Sequence, residues 1–173
     1  MARIFSVLAL LFTTAAPAAA QDMPLSQILI DDAGWKKVRE PGPKPHRTNA
    51  NVQTYSADGG TRFFHISGGA FLWAEPVVEG GSVNFRGAPY APLRTRRGES
   101  SIEVTGLATD RDGRIYAATE IGVQVFDPTG RLCGVLTPAA PGKSERLAFE
   151  GDTLTLWAGE TKYARKLRTE GAK

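Results

Sequence analysis

The sequence predicts an all-β chain, built as a partial β-propeller of about three four-stranded blades. Three observations carry this. Short apolar runs alternate with tight polar turns from residue 51 to the C-terminus, while helical periodicity is almost absent. Nineteen glycines and eleven prolines supply many turns. One turn-strand unit is written more than once, which is the mark of a repeat architecture.

Taken in order, the first twenty residues stand apart. Arg3 makes a positive start, FSVLALLF is a short apolar core, and PAAAQ offers small residues before a cleavage point after Ala20. That is the pattern of a secretory signal, and its apolar run is too short to span a bilayer. The expectation is an exported protein, placed by the Ala-rich signal in a bacterial periplasm and free of the membrane after cleavage. Residues 21–50 read as a lead-in and linker. PLSQILIDDAGWKKV suits a short helix or an extended segment, and PGPKPHRTNAN has three prolines and no apolar residue but Ala50. Residues 51–173 hold the blades.

Within them VQTYS, TRFFHIS, AFLWAEPVV and VNFRGAPYAPL come first, separated by ADGG, a GG step and EGGS. The polar stretch RTRRGES follows. SIEVTGLATD, RIYAAT, VQVFD, RLCGVLT, ERLAF, TLTLWAG and KYARKL complete the series, with DRDG, EIG, DPTG, APGK and EGD between them. The repeat aligns Ser56-Ala57-Asp58-Gly59 and the run to Ile66 with Thr109 to Gly113 and the run to Ala118. A weaker copy is Phe149 to Asp152 followed by Thr153 to Trp157. Glycine takes a positive φ at no steric cost, and Asp bonds back to the turn backbone. About four strands per unit of this length is the propeller pattern.

The stretch VTGLATDRDGRIYAATEIGVQVFDPTGRL, with the closing FEGDTLTLWAGETKYARKL, resembles the C-terminal part of the SMP-30/gluconolactonase/LRE-like family. The resemblance runs well over residues 50–166 and weakly over 24–38. It implies a six-bladed propeller and hydrolysis of sugar lactones or related esters, assisted by a divalent cation (Ca²⁺, Zn²⁺, Mn²⁺ or Mg²⁺) on the propeller axis. Oxygen ligands suit such ions, and a bound ion polarises a carbonyl and activates water. The chain has material for about three blades.

Carried over residue by residue, the implied site is incomplete. The first-blade Glu has no counterpart, since Glu40 lies in the wrong context. The Asn ligand falls on Asn51, although Val52 replaces the family's glycine and Ile66 stands where an Asp commonly closes the next strand. The Asp of the later blade, often the general base, falls on Thr105. Glu103, two positions away and on the same strand face, is the candidate replacement carboxylate. The expected site residues are therefore Glu103 and Thr105 for catalysis and Asn51 for metal, with loss of the cation as the other outcome. Asp110, Asp112 and Asp127 read as turn residues, His65 as a hydrogen-bonded face residue, and Trp73 and Trp157 as packing between blades. Cys133, the one cysteine, reads as a small buried hydrophobe and excludes an internal disulfide.

The net charge of +3 is spread over the chain and does not form a basic stripe interleaved with aromatics, so no nucleic-acid partner is expected. Three readings follow. One is an exported family-like propeller with a degenerate site that binds a ligand or partner and hydrolyses little, a small sugar lactone or related ester being the substrate expected if the site is active. One is a working hydrolase completed by a homodimer, which would also cover exposed blade edges. The third is a non-catalytic ligand- or protein-binding module.

Overall fold

A computed structural model of the chain describes residues 23–39, 52–78, 87–140 and 145–172. These form three four-stranded antiparallel sheets. The first joins β2 (Gln53–Tyr55), β3 (Thr61–His65), β4 (Phe71–Pro76) and β5 (Ala88–Pro92) in sequence order. The middle one joins β6 (Gly106–Thr109), β7 (Ile115–Thr119), β8 (Gly122–Phe126) and β9 (Leu132–Leu136). The third joins β10 (Arg146–Glu150), β11 (Thr153–Ala158) and β12 (Thr161–Lys166), and is completed at its outer edge by β1 (Lys36–Lys37). The predicted all-β class and repeated sheets are what the chain forms. Residues 1–20 and the whole proline-rich linker 41–51, Asn51 included, lie outside the described residues.

The turn chemistry explains the hairpins. Asp110 Oδ1 accepts the N–H groups of Asp112 at 3.0 Å and Arg114 at 2.8 Å, and Gly113 takes φ +83°. In the first sheet Ser56 Oγ accepts from Thr61 N while Asp58 Oδ1 accepts from Gly60 N. Asp127 repeats the Asp110 pattern toward Thr129 and Arg131. These residues act as turn anchors, as their positions predict. The lead-in takes both forms its sequence suits: a 3₁₀ turn at Leu25–Gln27, then the extended β1, whose Lys36 pairs with Ala164 and Lys37 with Tyr163.

Alternation along the strands decides the layering. In the middle sheet Ile115, Ala117 and Phe126 face the first sheet and pack with Phe63, Leu72 and Ala91. Tyr116, Ala118, Val123 and Val125 face the third and pack with Leu147, Leu154, Leu156 and Leu167. Every residue of β6, β7 and β8 is therefore buried. The strands nearest the hub are β2, β6 and β10, one edge strand of each sheet. Thr54 Oγ1 lies 3.1 Å from Thr109 Oγ1 across β2 and β6. At Gly106 an added Cβ would stand 2.6 Å from the Leu147 backbone nitrogen, so β6 and β10 meet there because the residue is glycine.

Cys133 is half-buried against the second of these cores, less enclosed than its apolar context predicts. Behind Tyr116, whose hydroxyl donates to Asp110 Oδ2 at 2.9 Å, lies a charged cluster in which Asp110 and Arg114 are buried and Asp112 reaches the surface. Arg114 bonds Asp110, Asp112 and Gln27, and Thr169 donates to Asp112. This cluster fastens both the lead-in and the C-terminal tail to the middle sheet. Burial and the Asp110 carboxylate push the Tyr116 hydroxyl far above its ordinary range, so it stays a donor.

Candidate functional site

The connection from β5 to β6, the β3–β4 turn and the β7–β8 turn meet at one end of the sheets. The β5–β6 connection and the β7–β8 turn line a cavity there of about 670 Å³, with Arg96, Ser101, Glu103, Thr105 and Glu120 among its walls. That volume is in the range of small-molecule sites. Its floor is set by the extended run Ile102–Thr105: Ile102 and Val104 are buried in the core between the first two sheets, so Glu103 and Thr105 turn the other way.

The rim is held by a residue from inside the middle sheet. Gln124, fully buried, accepts the Arg94 N–H at 2.8 Å and donates to the Arg94 carbonyl at 2.9 Å. This pins the point where the connection leaves β5. Beyond it Arg96 to Glu99 form a tight turn, with Glu99 N donating to Arg96 O and Thr95 Oγ1 to Glu99 O. Arg96 pairs with Glu120 at 3.3 Å across the opening, with both side chains over a third exposed.

The predicted catalytic pair does line this one cavity. Glu103 accepts Ser67 Oγ at 2.6 Å and Gly68 N at 2.9 Å, which ties the first sheet's β3–β4 turn to the connection. Thr105 Oγ1 donates to the Ala118 carbonyl at 3.3 Å. Both groups hold neighbouring turns and strands in place. Asn51, the predicted metal ligand, lies outside the described residues. His65 sits in the strand face as predicted, with Nε2 3.3 Å from Gly69 O.

A separate groove of about 300 Å³ follows the hub along β2, β6 and β10, lined by Thr54, Ser56, Thr109, Leu147, Phe149 and their neighbours. It contains no carboxylate, imidazole or thiol among its described lining. Hard divalent cations draw affinity from charged oxygen ligands. Among the described residues no group of three or more His, Cys, Asp or Glu side chains converges to hold an ion. The donor set described in this chain therefore does not fit the axial cation that the family resemblance implies.

Sequence reasoning missed Arg96, Ser101, Glu120 and Gln124. The stretch RTRRGES reads as solvated linker because its role depends on which turns fold beside it. The Gln of GVQV was visible as a polar residue in an otherwise apolar strand, and a buried amide needs partners.

No protein-family model matches the sequence, and no curated protein matches it. Solved structures do. A gluconolactonase from Xanthomonas campestris superposes over 68% of this chain and 37% of its own, with TM-score 0.54 and 22% identity. Regucalcin of Agrobacterium tumefaciens, described as a calcium-binding protein, matches over 70% of this chain and 46% of its own, at TM-score 0.56 and 20% identity. A luciferin-regenerating enzyme matches over 71% and 48%, at TM-score 0.54 and 13% identity. The chain thus spans less than half the length of each. At these identities the likeness is one of fold, and it agrees with the resemblance seen in the sequence: the three sheets are arranged as in gluconolactonase- and regucalcin-type propellers.

Proposed function

We propose that this is an exported propeller-fold protein that binds a small polyhydroxylated ligand of the sugar-lactone or related ester class at the cavity between Arg96, Glu103, Thr105 and Glu120, and that it does not hydrolyse the ligand at the rate of a metal-dependent lactonase. The observation that carries the reading is a formed cavity with a mixed polar lining, beside which no group of three or more His, Cys, Asp or Glu side chains converges among the described residues. The lining supplies hydroxyls from Ser100, Ser101 and Thr105, carboxylates from Glu99, Glu103 and Glu120, and the Arg96 guanidinium. Such a mixture of donors and acceptors suits the hydroxyls and ring oxygens of a sugar. The likeness to a gluconolactonase supports the ligand class. Catalysis by a bound ion would need charged ligands aimed at one point, and Glu103 is engaged in the Ser67–Gly68 turn. The leader at residues 1–20 supports export, with a bacterial periplasm as the destination.

The test is calorimetry and thermal melting of the mature chain with gluconolactone and with gluconate, alongside a turnover assay with and without Ca²⁺, Mn²⁺ or Zn²⁺. The expected result is saturable binding that weakens at least tenfold in Ser101→Ala/Thr105→Val, with turnover no faster than the uncatalysed reaction. Cation-dependent turnover that disappears in Asn51→Ala would establish the enzyme instead.

A further inference from the structure

The lead-in and the C-terminal tail are far apart in sequence and side by side in the fold. Leu29 and Leu167 form an antiparallel bridge, the Arg168 N–H donates to the Ile28 carbonyl at 2.9 Å, and Arg168 pairs with Asp31 at 3.6 Å. On its other side the tail closes two turns. Arg111 N of the β6–β7 turn donates to Glu170 O at 2.9 Å, and Gly171 N donates to Gly151 O of the β10–β11 turn at 3.0 Å. Ala172 N then donates to Thr109 O at 2.9 Å, and Ala172 lines the hub groove. An added Cβ at Gly171 would stand 2.3 Å from Phe149 Cβ, so the tail lies flat on β10. The lead-in fills space between the middle and third sheets. Ile28 belongs to their shared core, and Leu25 and Leu29 pack against it. At Gly134 of β9 an added Cβ would stand 2.8 Å from Leu25 Cδ2.

The two segments also share buried polar partners. Arg114, 3% exposed, directs one guanidinium nitrogen to Asp110 and Asp112 and the other to Gln27 Oε1 at 3.1 Å. Asp112 Oδ2 accepts from Arg114 at 3.0 Å and from Thr169 Oγ1 at 3.3 Å, and Thr169 is 1% exposed. We propose that the lead-in and the tail are one clasp across the middle and third sheets, docking and undocking as a unit through Arg114 and Asp112, and that its release frees the groove wall at Ala172.

Neither segment has the means to stay docked alone. The lead-in forms one 3₁₀ turn and a two-residue strand, and the tail makes isolated bridges. Elements this short are marginal without tertiary partners. If the tail leaves first, the Ile28 carbonyl and the Asp112 carboxylate each lose a donor. If the lead-in leaves first, the Arg114 nitrogen that faced Gln27 is left under the tail without its acceptor. A covered polar group without a partner costs more than its bond was worth, so each segment carries the other with it. Units of this kind open together below global unfolding. The middle sheet, with β7 and β8 buried throughout, stays closed. The clasp lies at the β6–β7 turn, and the cavity at the opposite end of β7, so this inference is independent of the ligand reading.

Native-state hydrogen exchange of the mature chain, read by mass spectrometry, tests it. Peptides covering 25–30 and 167–172 should exchange through one opening, with equal protection and equal denaturant dependence, ahead of those covering 115–126. Gly171→Val drives the tail off Phe149 and leaves Leu167 and Arg168, which carry the tail's own contacts with the lead-in, as they are. It should still speed exchange at 25–30 by about tenfold or more. Arg114→Leu should speed both segments alike. Thr169→Val, which removes one hydroxyl, replaces either variant if far-UV circular dichroism shows that it fails to fold, and should again move both segments by the same factor. Exchange at 25–30 that keeps its native rate when the tail is loosened overturns the proposal. So does a native chain in which 25–30, 167–172 and 115–126 all open together, because the clasp would then be no unit of its own.

Discussion

The middle sheet and the first sheet are made from the same repeat, yet they sit in opposite environments. In β7 and β8 every residue is buried, and odd and even positions serve two different cores. In β3 and β4 burial alternates: Phe63, His65 and Leu72 point inward, while Arg62, Phe64, Phe71 and Trp73 share the other face. A sheet covered on both sides reads as a continuous apolar run, and one covered on one side reads as an alternation. The same turn chemistry thus yields a rigid centre and a flank that presents aromatic surface. Blade identity comes from the turns, and blade role comes from what stacks on each face.

The largest expected effect sharpens this contrast. Phe126→Ala removes a fully buried ring from the core shared by the first and middle sheets. It should lower stability by about 3–5 kcal/mol in chemical denaturation. Phe71→Ala, on the outward face, should change the stability of the isolated chain by about 0.5 kcal/mol or less. Equal losses at the two positions would break the comparison.

A smaller effect links the middle sheet to the cavity. Gln124→Leu keeps the volume but removes both bonds to Arg94. The cost should be roughly 2 kcal/mol, and ligand affinity should fall with it, because the rim at Arg96 loses its anchor. A variant as stable as the native chain with unchanged binding would show that the connection holds itself.

The smallest concerns the turns. Burial raises the Asp127 carboxyl, but hydrogen bonds from Thr129 and from the Arg131 backbone and guanidinium outweigh it, so the group lies below the ordinary range. A depressed folded-state value contributes stability above the unfolded value near about 3.9, and that contribution is lost as pH falls through the folded value. Native and Asp127→Asn chains should therefore differ by about 1 kcal/mol at neutral pH and converge in acid melts. Asp58, lowered first by the Ser56 hydroxyl and then by the Gly60 N–H, is an exposed turn carboxylate of the first sheet, and its Asn variant should shift the curve less. A difference that persists unchanged to low pH at Asp127 would remove the charge from the account.

Much of the architecture was legible because it is local. Asp110-Arg111-Asp112-Gly113 and Asp127-Pro128-Thr129-Gly130 carry their own turn geometry, and the apolar runs between them have strand length. The site was legible only in part. Two-residue spacing put Glu103 and Thr105 on one side of an extended run, and both line the cavity. Their hydrogen bonds to Ser67, Gly68 and Ala118 were not visible, since those partners come from other strands. The pairing of Lys36–Lys37 with β12 was also out of reach, because a two-residue strand has no period to read.

By itself the amino-acid order determined that this chain makes hairpins closed by Asp and Gly turns and gathers them into repeated sheets, since those choices depend on neighbours within a few residues. Tertiary structure alone decided that the middle sheet is buried on both faces, that RTRRGES and the β7–β8 turn frame a cavity, and that the described carboxylates do not gather at the hub. Those outcomes depend on which distant side chains arrive at one place, and contacts across more than a hundred residues, such as Lys36 to Ala164, leave no periodic trace along the chain.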